Sequence, residues 1–241
     1  MRELTQAESR PAGVERVHDA GPLRITTVMT GDPWRENCYV VMDRASRSAV
    51  IVDPGAAEGV ILATVEAQGA RVSKVLLTHG HHDHVGAVAP VCHALNVPCA
   101  VHPADMRLVR QAPLWAFRFA GKLIDTPSPM VELTDDVVRI GGASLNVIRV
   151  PGHTPGGIAF ASNGFCMTGD TLLLEHIGRT DLPGGHAPTL QQSVDALLSV
   201  LSADTILLAG HGREWTAGEA LGWWSRVRAA PPVLDEHQTA S

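Results

Sequence analysis

The run Val72-Ser73-Lys74-Val75-Leu76-Leu77-Thr78-His79-Gly80-His81-His82-Asp83-His84 joins a short apolar stretch to a dense group of metal-ligand side chains. Residues 72–77 read as a buried strand that stops at Thr78. Directly after it, His79, His81, Asp83 and His84 fall within six positions, with a glycine among them. Neutral imidazole and carboxylate form the ligand set that zinc, manganese and iron prefer. A loop at a strand end turns alternate side chains toward a common point. His79 and His81 are then expected to face one metal, and Asp83 and His84, on the first turn of the next helix, to face another. Packing explains an isolated histidine such as His18, His93 or His237, but not this density.

Working outward, two metals need further ligands, again at strand ends. Three residues have that setting. His153 lies in Pro151-Gly152-His153-Thr154-Pro155-Gly156 after a strand over 144–150, Asp170 in Gly169-Asp170-Thr171 after a strand over 165–168, and His211 in Gly210-His211-Gly212 after a strand over 205–209. Glycine beside each lets the backbone turn sharply or approach closely. Strands are also expected over 23–29, 38–42, 49–52, 98–101 and 157–161, the last turning at Asn163-Gly164 into 165–168. Helices are expected over 56–68, 85–95, 189–201 and 218–228. Strands and helices on both sides of the middle argue for a layered α/β sandwich.

Residues 1–22 read as a loose arm, 23–230 as one domain, and 231–241, opening on Pro231-Pro232, as a tail. Within the domain, 103–134 reads as a helical insert that interleaves Trp115, Phe117 and Phe119 with Arg107, Arg110, Arg118 and Lys122. The chain has 241 residues, 45% hydrophobic and 18% charged, which is globular composition for one domain. A net charge of −6 excludes a basic nucleic-acid surface and an anionic-membrane binder. The four cysteines, Cys38, Cys92, Cys99 and Cys166, form no C-x-x-C pair and are expected to be reduced core residues. With no signal-peptide core and no membrane-length apolar run, a cytoplasmic protein with a small-molecule substrate is expected.

His79-x-His81-x-Asp83-His84, followed by His153, Asp170 and His211, resembles the metallo-β-lactamase superfamily signature over residues 23–228. The resemblance implies an αβ/βα four-layer sandwich. It implies that His79, His81 and His153 bind one metal, that Asp83, His84 and His211 bind a second, and that Asp170 bridges both. Asp53, in Asp53-Pro54-Gly55, matches the aspartate that supports the site from behind. Asn37-Cys38-Tyr39 and the segment Ile177-Gly178-Arg179-Thr180-Asp181-Leu182-Pro183-Gly184-Gly185 are similar to the small glyoxalase II-like branch, whose members hydrolyse hydroxyacyl-glutathione thioesters. That branch's full-length enzymes carry a C-terminal helical domain for which the 241 residues leave no room, so none is expected here, and residues 212–217 lack the proline expected after the glycine.

The expected chemistry is hydrolysis of a thioester or related ester by a hydroxide shared between two divalent ions, zinc first, with iron and manganese as alternatives. Asp83 binds metal and accepts a hydrogen bond that fixes the direction of attack. His176 and Arg179 are the candidate substrate contacts, Arg179 alternatively forming a buried ion pair with Asp181 that fixes its loop. A mononuclear iron persulfide dioxygenase, using only the triad His79, His153 and Asp170, is the competing reading. A lactonase or phosphodiesterase of the same fold is another, since fold and metals do not fix a substrate.

Overall fold

The computed structural model describes residues 11–229, and its first half builds one seven-stranded sheet. β1 (Gly13–Ala20), β2 (Leu23–Met29), β3 (Asn37–Asp43) and β4 (Ser48–Val52) pair antiparallel in succession. The chain then changes style. α1 (Glu58–Ala67) leads to β5 (Arg71–Leu76), and α2 (His82–Val85) and α3 (Val88–Leu95) lead to β6 (Cys99–Val101). α4 (Met106–Ala120) leads to β7 (Met130–Glu132). β4 to β7 run parallel, which requires a crossover between each pair of strands, and the helices supply it.

The second half makes a six-stranded sheet. β8 (Val137–Ile140), β9 (Ala143–Arg149), β10 (Ile158–Ser162) and β11 (Phe165–Gly169) form a meander. β12 (Leu172–Leu173) and β13 (His176–Ile177) make a separate small ribbon. α5 (Ala187–Val200) crosses to β14 (Ile206–Ala209), parallel to β11, and β15 (Trp215–Thr216) and α6 (Ala217–Ala229) follow.

Period-two alternation sorts the side chains into layers. Along β3, Tyr39 and Val41 enter the core between the sheets, while Cys38 and Val40 face α1 and α3. β4 and β5 do the same, with Val50, Val52 and Leu76 inward and Ile51, Val75 and Leu77 outward. The inter-sheet core is closed by Phe160 and Phe165, both fully buried, each worth about 1.5–3 kcal/mol of transfer free energy. α5 and α6 cover the far face of the second sheet through Val194, Leu197, Ala220 and Trp224. The result is an αβ/βα four-layer sandwich. Cys38, Cys92, Cys99 and Cys166 are all free and buried in it. No helix among the described residues is long and apolar enough to cross a membrane.

Three expectations change. The arm over 1–22 is in part a strand: β1 pairs along β2, although Glu15, Arg16 and Asp19 leave it little apolar signal. Residues 1–10 and the tail over 231–241 lie outside the described residues, as does residue 230 at the end of the expected domain. The helix expected over 85–95 is broken at Gly86-Ala87, where Gly86 packs against the Gly55 carbonyl and a Cβ on it would stand 2.6 Å from the Trp34 ring. The insert over 103–134 is helical through α4, but its end returns to the sheet as β7.

Candidate metal centre

Every candidate ligand follows a strand at one end of the sandwich. Residues 78–84 follow β5, His153 follows β9, Asp170 follows β11, and His211 follows β14. The two sheets meet there, since the Ile158 N–H donates to the Thr78 carbonyl at 2.8 Å. The structure brings all seven residues together in two adjoining groups. In one, ring nitrogens of His79, His81 and His153 lie within 4.8 Å of one another, and in the other Asp83, His84, Asp170 and His211 do so. His81 Nδ1 and His153 Nε2 are 2.9 Å apart. Asp170 stands between the groups: Oδ1 is 3.5 Å from His84 Nε2, and Oδ2 is 3.7 Å from both His153 Nε2 and His211 Nε2. Asp83 Oδ2 is 3.2 Å from His211 Nε2.

Glycine permits this convergence. A Cβ on Gly210 would stand 2.5 Å from His84 Cε1 and closer still to Asp170 Oδ1. One on Gly178 would stand 2.8 Å from His153 Nδ1.

The ring nitrogens facing away from the centre are held by the protein. Asp53 Oδ2 faces His84 Nδ1 at 3.0 Å and accepts from the Thr78 hydroxyl at 2.5 Å, while Oδ1 accepts from the Thr78 N–H at 2.7 Å. Its backbone is left-handed, with φ of 51°, so the aspartate turns the chain as well as supporting the histidine. His153 Nδ1 donates to the Arg179 carbonyl at 2.7 Å. Around His211, the Asn37 amide donates to the Ala209 and Gly212 carbonyls at 3.0 Å, and the Tyr39 hydroxyl donates to Ala209 at 2.5 Å.

Electrostatics keep His79, His81, Asp83 and Asp170 in their ligand forms. Burial, reinforced by neighbouring histidines, pushes His79 well down and His81 to about 3, so both rings offer lone pairs at neutral pH. Burial opposes ionisation of Asp83 and Asp170, but His84 beside them outweighs it and holds both carboxyls low. The reciprocal attraction overcomes burial at His84 and His211 and raises them, so these two rings hold protons that a bound cation would displace. Nε2 of His79, His81 and His84 and Oδ1 of Asp170 are buried without a hydrogen-bond partner. Leaving a buried polar atom unpaired costs about 1–3 kcal/mol. Four such atoms within these groups fit cations held between them, and the residues are suited to binding metal ions.

Other expectations fare differently. His176 is exposed, bonds the Leu174 carbonyl through Nδ1 at 3.0 Å, and lines a groove with Gln191, Trp223 and Trp224 that none of the seven residues enters. Arg179 and Asp181 do pair, at 2.7 and 2.6 Å, but the pair is exposed rather than buried. An exposed ion pair is worth at most about 1 kcal/mol. The useful atom of Arg179 here is its carbonyl, invisible to a reading of side chains. Sequence reasoning also missed Glu36, fully buried beneath the Asp53 turn, whose Oε2 accepts from the Gly55 N–H at 3.1 Å. In the polar run Arg35-Glu36-Asn37 nothing marks it out.

Of the α4 residues, Leu108, Val109, Ala112 and Ala116 face the core, while Phe117, Phe119, Arg107, Arg110 and Arg118 are exposed, as is Lys122 just beyond the helix. Trp115 stacks on Phe119, Phe119 on His82, and Trp34 meets His82 edge-on, with centroids 5.5–5.6 Å apart. This ring ladder leads outward from the turn that carries Asp83.

Residues 31–211 match the metallo-beta-lactamase superfamily, and the chain belongs to it. Its class is therefore that of the metal-dependent hydrolases. Among its relatives is a hydroxyacylglutathione hydrolase, GloC, of Haemophilus influenzae, 33% identical over 77% of this chain and 90% of that protein. Among solved structures, the BLEG-1 B3 metallo-beta-lactamase is similar with a TM-score of 0.75 and 29% identity, covering 82% of this chain and 96% of that one. TTHA1623, in a di-iron-bound form, is similar with a TM-score of 0.70 and 38% identity, covering 78% and 93%.

Proposed function

We propose that the protein is a dinuclear metal-dependent hydrolase of a small-molecule thioester or related ester. The observation that carries this reading is the place of Asp170, whose carboxylate lies within 3.7 Å of His153 in the first group and of His84 and His211 in the second. A carboxylate so placed would suit a bridge between two ions, one that His79, His81 and His153 would hold and another that Asp83, His84 and His211 would hold. When bound, two such ions supply a nucleophile from water at neutral pH and polarise the substrate carbonyl.

The chain's own residues do the rest. Asp53 and the Arg179 carbonyl fix the rings of His84 and His153, so their Nε2 atoms keep one direction. Asp83, ionised beside His211, has an oxygen that can accept a hydrogen bond from the attacking group and aim it. A thiolate leaves with little acid assistance, so the reaction does not require a general acid. The ladder of Trp34, His82, Phe119 and Trp115 offers an apolar wall to the substrate, and Arg107, Arg110, Arg118 and Lys122 offer positive charge to an anionic portion. Four free buried thiols fit a reducing, cytoplasmic setting.

The glyoxalase II-like likeness and the GloC relative favour a thioester, and the di-iron form of TTHA1623 keeps iron beside zinc as the metal. The test is a panel of thioester, ester, lactone and phosphodiester substrates offered to metal-loaded protein, with and without chelator. Chelator-sensitive thioester turnover is expected. Turnover of only the lactone or phosphodiester, or oxygen consumption with a persulfide by protein holding one iron, overturns the reading.

A further inference from the structure

Asp105 lies just before α4 and has no exposed surface. Each of its carboxylate oxygens accepts one backbone hydrogen bond. Oδ2 takes the N–H of Gly80 at 3.0 Å, and Oδ1 takes the N–H of Gly156 at 2.6 Å. Gly80 is the residue between His79 and His81. Gly156 closes the loop that carries His153. One side chain therefore ties together the two loops that supply the first group of histidines.

The backbone shows the same contact from the other side. A Cβ on Gly80 would stand 2.7 Å from the Leu108 Cβ and 3.0 Å from the Asp105 carbonyl. A Cβ on Gly156 would stand 2.8 Å from the Asp105 carboxyl carbon. Both glycines are thus required by the start of α4, which is wedged between the ligand loops. An ionised acceptor makes a hydrogen bond roughly twice as strong as a neutral one, and burial excludes competing water. The second group has no such tie. Asp83, His84, Asp170 and His211 are held by Asp53, Gly210 and the Asn37–Tyr39 contacts instead.

We propose that Asp105 is a positioning residue that sets the distance between the His79–His81 loop and the His153 loop, and so selectively tunes the affinity of the first of two metal sites. The inference rests on the two-metal reading above. It also gives α4 a task besides covering the sheet: its N-terminal end holds the metal loops while its C-terminal end carries the ring ladder.

The experiment is a zinc titration against a chromophoric chelator for wild type, Asp105→Asn and Asp105→Ala, with thermal melts of each in chelator. Asn keeps one acceptor oxygen but places an N–H₂ where the other stood; Ala removes both. Expected is a graded loss at one ion only, about 10–100-fold in its affinity for Asp105→Ala and less for Asp105→Asn, with the second ion unchanged. A cobalt-substituted sample should lose the absorption of one ion at stoichiometries where wild type shows both. A merely structural role moves the melting temperature without this asymmetry. Equal weakening of both ions, no change in either, or failure of both variants to melt cooperatively overturns the proposal. Wild type that binds only one ion contradicts the two-metal reading instead, and the Asp105 inference is then decided by whether that ion weakens.

Discussion

Gly210→Ala places one methyl group where the site has no room for it. The added Cβ stands 2.5 Å from His84 Cε1, about 0.9 Å inside the 3.4 Å at which ordinary contact begins, and it presses harder on Asp170 Oδ1. His84 cannot retreat freely, because Asp53 holds its Nδ1 and the ring has no exposed surface. The movement needed is several times the roughly 0.2 Å by which ligand distances can vary in a metal site. Overpacking of this kind costs about 1–3 kcal/mol. Since Asp170 serves both proposed sites, each ion should weaken, by about 10–100-fold, the loss a 1.4–2.8 kcal/mol misfit produces. The assay is metal titration of the variant beside Gly59→Ala in α1, where an added Cβ meets nothing within 4 Å. That control should bind metal as wild type does and gain up to about 1 kcal/mol from helix propensity. A Gly210→Ala protein that folds and binds two ions with wild-type affinity refutes the reasoning.

Asp53→Asn preserves size and tolerates the left-handed backbone, but it cannot accept from Thr78 and from His84 through both oxygens; a loss of about 10–100-fold in metal affinity or activity is expected, read by titration and kcat/KM. Unchanged values contradict the support role. Burial pushes the Glu36 carboxyl well above its usual 4.5, with Asp53 and Asp83 adding to it. A raised acid has no effect below that value, then removes stability by up to about 1.4 kcal/mol per pH unit as pH climbs toward its folded value. Glu36→Gln should therefore become more stable relative to wild type between pH 5 and 8 in chelator, and a pH-independent difference in urea unfolding contradicts this. Phe119→Ala with Trp115→Ala should raise KM for an apolar thioester several-fold while metal content holds; unchanged kinetics assign these rings to packing alone.

The sequence made the strands legible where two faces are buried, as in β3 and β4, because the apolar runs over 38–42 and 49–52 are unbroken. It concealed β1, an edge strand whose Glu15, Arg16 and Asp19 leave little alternation. It concealed β7, three residues long. The break at Gly86 depends on a carbonyl from the Asp53 turn, a contact between segments some thirty residues apart. At the site, glycine-flanked histidines and aspartates at strand ends were enough to nominate all seven converging residues. The supports divide by chemistry. Asp53 carried a turn signal of its own, whereas the Arg179 carbonyl is a backbone atom, and Glu36 and Asp105 are single acids in ordinary surroundings. The buried Arg179–Asp181 pair, read from the sequence as the alternative to substrate contact, is exposed because its loop runs over the surface, and the Arg179 carbonyl is what reaches the centre.

The central claim, two ions sharing Asp170, is tested most directly by counting metals per chain in wild type, Asp170→Ala and His84→Ala after equilibration with zinc. The account predicts two ions in wild type, weakening of both in Asp170→Ala, and weakening of one in His84→Ala. One ion in wild type even with zinc or manganese in excess, or identical losses in the two variants, contradicts it.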